Sequence, residues 1–206
     1  MNYQRPLERL AEGKTLWNTW RHDYAEIQAF EPELHGVDLH KADLNGFDLH
    51  EVDLTEANLE EANLRGADLH GADLRHANLK GADLSNANLS QAHMHEADAR
   101  GALFRNASLR GADLSNTDLR GVDFNGAILG KARFNKANMS GVDLREANLD
   151  NVDLREANLN GALLSKKLPE QAPLPEGDRG KGDLKKSVEA QKWKSRRATI
   201  EDDSAA

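Results

Sequence analysis

An all-β solenoid closed by an N-terminal α-helical cap is the fold class this sequence predicts, on three observations. Residues Gly36 to Ser165 repeat every five residues in 26 consecutive units, typified by Gly66-Ala67-Asp68-Leu69-His70. The central position is Leu in 20 units, and two residues earlier stands a small apolar residue, Ala in 19. A period of five suits neither a continuous helix nor a continuous strand, but it suits a short extended piece followed by a turn, repeated throughout.

Residues 1–35 form the first segment. Leu10, Gly13, Trp17, Trp20, Tyr24 and Ile27 alternate in spacings of three and four, which predicts one helix over 6–29 with a single apolar face. Pro6 suits a first turn, and Gly13 weakens the helix by about 1 kcal/mol, so a break there stays open. An apolar stripe carrying two of the three tryptophans fits a cap on the first coil, since a solenoid end needs covering. An aromatic ligand-binding face is the alternative.

Residues 36–165 form the second. In an extended piece, residues two apart share a side. Ala67 and Leu69 therefore point inward and Asp68 outward. Glycine after the variable position (Gly46, Gly66, Gly71 and others) suits the turns. Three departures stand out inside. Ala99 leaves its column short of volume, with Met94 and Phe104 as neighbours able to fill it. Phe47 replaces the small residue near the cap. Leu103, Ile128 and Leu163 place apolar side chains at the outward position.

The Ala-(Asp/Asn)-Leu-Xaa-Xaa pattern resembles the pentapeptide-repeat family, and it covers all of 36–165. The segment Leu16-Trp17-Asn18-Thr19-Trp20-Arg21, followed by Glu26-Ile27-Gln28, also resembles N-terminal lead-ins of bacterial, particularly cyanobacterial, members. The resemblance implies a right-handed quadrilateral β-helix with four pentapeptides per coil. The 26 units would then make 6.5 coils, a rod of roughly 31 Å, from about 4.8 Å per coil. Period five alone does not supply the number four.

Residues 166–206 form the third segment. Pro169, Pro173, Pro175, Gly177, Gly180 and Gly182 mark a linker. A short basic helix from Asp183 to about Ile200, or a segment that orders only on a partner, follows. Its contact candidates are Lys185, Lys186, Lys192, Trp193, Arg196 and Arg197.

Net charge is −8, from 27 Lys/Arg and 35 Asp/Glu. Residues 36–165 carry 13 against 21, and the tail ten against eight. An acidic body argues against direct nucleic-acid binding by the repeat, because phosphates need Lys and Arg. There is no cysteine, which removes thiolate chemistry and Cys-based zinc sites. No apolar run approaches a membrane span and no signal pattern opens the chain, so the expected compartment is cytoplasmic.

Chemistry has few candidates. The outward Asp residues lie along convex faces rather than in a cleft, and short Asp and Asn side chains are expected to bond nearby backbone and one another. His93, His95 and His76 could ligate a metal, but solvated decoration is the expectation. No P-loop, Rossmann fingerprint or nucleophile elbow is present. No cofactor, metal or catalytic residue is therefore expected. The cationic concentration of Arg100, Arg105, Arg110 and Arg120, with apolar Leu103 and Ile128, is the candidate partner surface.

The expected function is a non-enzymatic protein-interaction scaffold or regulator with an unknown protein partner, monomer slightly favoured over dimer. Some family members bind bacterial DNA gyrase as acidic, duplex-shaped rods, which makes a DNA mimic one alternative. A spacer whose basic tail docks on nucleic acid or an anionic membrane is the other.

Overall fold

The computed structural model describes residues 6–24 and 33–164. The described residues all belong to one compact unit. The tail candidates Lys185, Lys186, Lys192, Trp193, Arg196 and Arg197 lie outside the described residues.

The repeat is a right-handed quadrilateral β-helix. Its register is twenty residues: Asp38 pairs in parallel with Asn58, Asn58 with Asn78 and Asn78 with Asp98. Four pentapeptides therefore make one coil. The pairings are single bridges except where β1 (Asp143–Leu144) meets β2 (Leu163–Leu164). Three backbone hydrogen bonds tie each side and its corner to the next coil, the corner bond running from the N–H of Lys41 to the carbonyl of Glu60 at 2.9 Å. The N–H of Leu39 donates to the carbonyl of Asn58, and the N–H of Asn58 donates to the carbonyl of Val37, both at 2.8 Å.

Each corner is a tight turn. The N–H of Ala42 donates to the carbonyl of Leu39 at 3.0 Å, and the same bond recurs along the rod. At every repeat turn except the one at Glu146, the second central residue has φ between 55° and 73°. Negative φ at the first central residue and positive φ at the second define a type II turn, which favours glycine. Many corners carry Glu, Lys, Gln, His or Asn instead, at a cost of about 1–2 kcal/mol for a left-handed L-residue.

The outward Asp and Asn residues compensate. All twenty of them accept, through Oδ1, the backbone N–H two residues on, at 2.9–3.4 Å. That N–H belongs to the first central residue of the turn and has no partner in the ladder. A carboxylate or amide one methylene from the backbone closes this ring, which explains why Asp and Asn, rather than Glu and Gln, fill the position. Asparagines add a second tie, from Nδ2 to the outward residue one coil back, as in Asn58 to Asp38 and Asn88 to Asp68, both at 2.9 Å.

Inside, the central residues are almost all fully buried, Ala99 among them. Phe104 stacks on Phe124 with ring centroids 5.4 Å apart, and Phe124 meets Phe134 edge-on at 6.3 Å. Burying each Leu contributes about 1.5–3 kcal/mol. Thr117 sits fully buried at a position normally held by Ala, and its hydroxyl donates to the carbonyl of Met94 at 2.9 Å.

The single helix expected over 6–29 is instead two: α1 (Pro6–Ala11) and α2 (Lys14–Tyr24). Gly13, at φ 95°, makes the break, and its carbonyl accepts the N–H of Trp17 to open α2. Residues 25–32, including Ile27, are outside the described set. Leu10 and Trp17 are buried as the stripe predicts. Arg21, which is not part of that stripe, is buried too, at 8% exposure.

The cap works by replacing missing peptide groups. Inside the rod, Asp68 donates its N–H to Phe47 and accepts from Leu49, and His70 accepts from Glu51. Asp48 and His50 occupy the equivalent places one coil earlier, where α2 supplies the partners. The side-chain oxygen of Asn18 accepts the N–H of Asp48 at 2.9 Å. The indole N–H of Trp17 donates to the carbonyl of Asp48 at 2.6 Å, and the Arg21 guanidinium donates to the carbonyl of His50. Asn18 also donates to the carbonyl of Gly46 at 3.0 Å.

Two substitutions test this account. Asn18→Ala is expected to cost about 1–3 kcal/mol by orphaning the Asp48 N–H, read as a lower urea midpoint with faster hydrogen exchange at that amide. Glu56→Gly is expected to stabilise by up to about 1 kcal/mol, because Glu56 is exposed with φ at 58°. A loss of stability there would refute the turn argument.

Candidate interaction surface

The four sides differ in what they show. Face 1 carries the outward column Asp38, Asn58, Asn78, Asp98, Asp118, Asn138 and Asn158. Face 2 carries Asp43, Asn63, Asp83, Leu103, Asp123 and Asp143, and face 3 carries Asp48, Asp68, Asn88, Ser108, Ile128 and Asn148. Face 4 carries Glu33, Asp53, Asp73, His93, Asp113, Arg133 and Asp153.

This ordering divides the candidate surface. Arg100 and Arg120 follow face 1, Leu103 and Arg105 belong to face 2, and Arg110 and Ile128 belong to face 3. The six residues thus fall two to a side on three different sides. Leu103 is half-buried, whereas Ile128 is 41% exposed.

Most of the cations are also engaged. In the recurring stretch Asp-Xaa-Arg, the guanidinium folds back onto the carboxylate two residues earlier. Arg75 does so to Asp73, Arg100 to Asp98, Arg120 to Asp118, Arg145 to Asp143 and Arg155 to Asp153, at 2.6–2.8 Å. Arg105 reaches Asp123 in the next coil at 2.5 Å, and Arg65 reaches Asp83 at 3.3 Å. Lys80 joins Asp98, Arg133 joins Asp113, Lys41 joins Glu61 and Lys136 joins Glu156. Of the repeat's cations, Arg110 and Lys131 alone have no ion pair among the described residues.

These forks set the carboxylate energetics. Hydrogen bonds from Arg100, Arg120, Arg145 and Arg155 hold Asp98, Asp118, Asp143 and Asp153 below the ordinary 3.8. At Asp123 the backbone N–H of Asn125 is the largest cause, with Arg105 adding to it. Burial pushes the Asp73 carboxyl up, and hydrogen bonds from Arg75 outweigh it.

Charge is segregated along the chain. Residues 36–70 hold two Lys/Arg and nine Asp/Glu, whereas 71–164 hold eleven and twelve. The body's acidity thus sits in its first two coils, and the later coils are close to neutral through internal pairing. This asymmetry is visible in the sequence once charges are counted by coil rather than over the whole repeat.

The histidines do not gather as a three-imidazole site. His76 and His95 each turn toward Glu96, at 3.4 and 3.1 Å. Among the described residues, donor atoms with metal-like spacing belong instead to Asp48, His50 and Asp68, within 4.8 Å of one another. His50 bonds Asp48, and the buried Arg21 guanidinium lies within electrostatic reach of both carboxylates. That charge serves as their counter-ion and opposes a bound cation. A shallow open depression lined by Ser115, Asn116, Asn135, Lys136, Arg155 and Glu156 is polar throughout.

A coil of four pentapeptides, an Asp/Asn-locked turn and a Leu-filled interior define a class of protein. A family model described as pentapeptide repeats matches eight copies, over residues 33–71, 67–106, 87–126 and 127–165. The chain belongs to the pentapeptide-repeat family. No curated protein matches it significantly. Among solved structures, trypsin-treated QnrB1, a plasmid-mediated fluoroquinolone resistance protein, is similar at 20% identity and a TM-score of 0.50, over 64% of this chain and 82% of that one. A pentapeptide repeat protein of the Arabidopsis thaliana thylakoid lumen is 34% identical over 56% and 74% of the chains, with a TM-score of 0.39. HetL, involved in heterocyst differentiation regulation in the cyanobacterium Nostoc, is 28% identical over 77% and 96%, with a TM-score of 0.25. Among the described residues no helix is long and apolar enough to cross a membrane.

The lowered carboxyls fix a pH dependence. Their folded pKa values lie below the unfolded value of 3.8, so their contribution is complete above that value and disappears as pH falls through the lowered ones. The melting temperature is expected to be flat from about pH 7 to about pH 5 and to drop below about pH 4. In Arg120→Gln the drop begins at higher pH. The exposed forks are each worth little, so at neutral pH that variant stays close to the parent.

Proposed function

We propose that this protein is a non-enzymatic interaction scaffold, cytoplasmic in its working compartment, that presents the sides of a β-helical rod to a protein partner. The observation that carries this reading is where the polar groups are committed. All twenty outward Asp and Asn side chains hold their own turns, and eleven of the thirteen repeat cations are ion-paired. Catalysis needs free groups converging on one reacting atom. Groups held along convex faces supply shape and a fixed charge pattern instead, which is the chemistry of recognition.

A DNA-mimicking role in binding gyrase is the weaker reading. A duplex mimic needs negative charge along its length, and here residues 71–164 carry eleven cations against twelve acids. QnrB1 shares the fold at 20% identity, and its fluoroquinolone resistance is its own property. A tail that docks on nucleic acid or an anionic membrane, with the rod as spacer, is separable by truncation.

Affinity capture from the native cell tests these readings together, using full-length protein and a form lacking 166–206. A stoichiometric protein partner held by both forms is the expected result. A partner lost on truncation moves the function to the tail, and the absence of any protein partner refutes the scaffold. Protection of purified gyrase from a quinolone-type poison is expected to be nil at micromolar protein.

A further inference from the structure

The outward column of face 3 breaks the rule that holds the rest of the rod. At Ser108 and Ile128 no carboxylate or amide stands outside, so the turn N–H groups of Arg110 and Gly130 lack the acceptor used at twenty other turns. The Ser108 hydroxyl is turned to Ser90, at 2.8 Å, and Ile128 has no acceptor to offer. Neither N–H has another partner among the described residues. Ser108 and Ile128 are bridged neighbours in adjacent coils, so the two donors lie about 4.8 Å apart.

Two further features coincide there. Arg110 and Lys131 are the two repeat cations without an ion pair among the described residues; Arg110 lies one coil back on the same face and Lys131 at the corner that follows Ile128. Ile128 is the exposed large apolar residue of the repeat. Gly130 is buried whereas Arg110 is exposed, so of the two donors the Arg110 N–H is the one open to a partner. Outward N–H groups also lose their Asp/Asn acceptor at residues 95, 105 and 135, but Arg105 is neutralised by Asp123, and His95 and Asn135 face neighbouring carboxylates.

We infer that this spot on face 3 is a docking site for an acidic protein segment in which a carboxylate adjoins an apolar side chain. The partner's Asp or Glu takes the place of the missing outward carboxylate. It accepts from the N–H of Arg110 and lies between the Arg110 and Lys131 charges. The neighbouring apolar residue covers Ile128. This deepens the scaffold reading and rests on it, naming one face and one partner chemistry. The departures from the repeat all run in one direction: they expose a donor, positive charge and an apolar surface where the fold elsewhere places an acceptor.

The test uses the full chain, isotopically labelled, titrated with a short synthetic peptide alternating glutamate with leucine. The same peptide with lysine for glutamate is the control. Saturable amide shifts are expected at Arg110, Ile128, Gly130 and Lys131, and none with the lysine peptide. Ile128→Asp restores the commonest residue of the repeat and so keeps the fold, with a melting temperature equal to or above the parent's. It is expected to raise Kd by about tenfold or more, since each 1.4 kcal/mol is a factor of ten. Arg110→Ser behaves likewise. Unchanged affinity in Ile128→Asp, shifts centred on another face, or no saturable shift at millimolar peptide each overturns the site. Those results leave the scaffold reading standing, which is judged by cellular capture alone.

Discussion

The bond from an outward Asp or Asn to the backbone N–H two residues on is the interaction from which the rest of this molecule follows. A coil this narrow turns four times in twenty residues, and each turn leaves one N–H facing outward with no place in the ladder. A carboxylate or amide oxygen held one methylene from the backbone satisfies it without solvent. With that N–H held, the chain can tolerate left-handed residues such as Lys41, Glu51 and Gln91 at its corners. The corners in turn keep every Leu and Ala pointed inward. The carboxylates that dominate the sequence are thus parts of the backbone's hydrogen bonding more than they are a reservoir of charge.

Much of this was legible from residue spacing. The inward pair, the outward Asp or Asn and the turn glycine follow from a period of five and the alternation of an extended chain. Other parts depend on the number of sides, which the period does not contain. Arg105 and Asp123 are 18 residues apart and meet only because a coil holds twenty. Arg100, Leu103 and Ile128 look like one patch in sequence, yet fall on three faces. The Asp-Xaa-Arg forks needed no such knowledge. Two residues of separation around an inward side chain put both groups outside, and that signal was available. The cap was less legible. Periodicity correctly placed Leu10 and Trp17 inside, but burial of Arg21 follows from a carbonyl on His50 that the helix pattern cannot see.

The charge pattern has a similar origin. In the later coils, arginines placed after the outward Asp neutralise it in place and hold its pKa down. In the first two coils few cations follow, so the acidity is left unbalanced and lies next to the cap. A net charge read over the whole chain hides this contrast. So does a count of arginines, since among the described residues all but one of those in the repeat are ion-paired.

The twenty-residue register has a consequence for how such a surface can vary. Loss or gain of one pentapeptide leaves every inward and outward assignment intact, so folding is undisturbed. It nonetheless turns everything downstream by a quarter of a revolution. Ile128 would move from the column of Ser108 to that of Leu103 or Arg133, with a different set of neighbours. Gain or loss of four units restores the columns and changes only the height. In this architecture the count of units acts as an address: five residues choose the side, and twenty choose the floor.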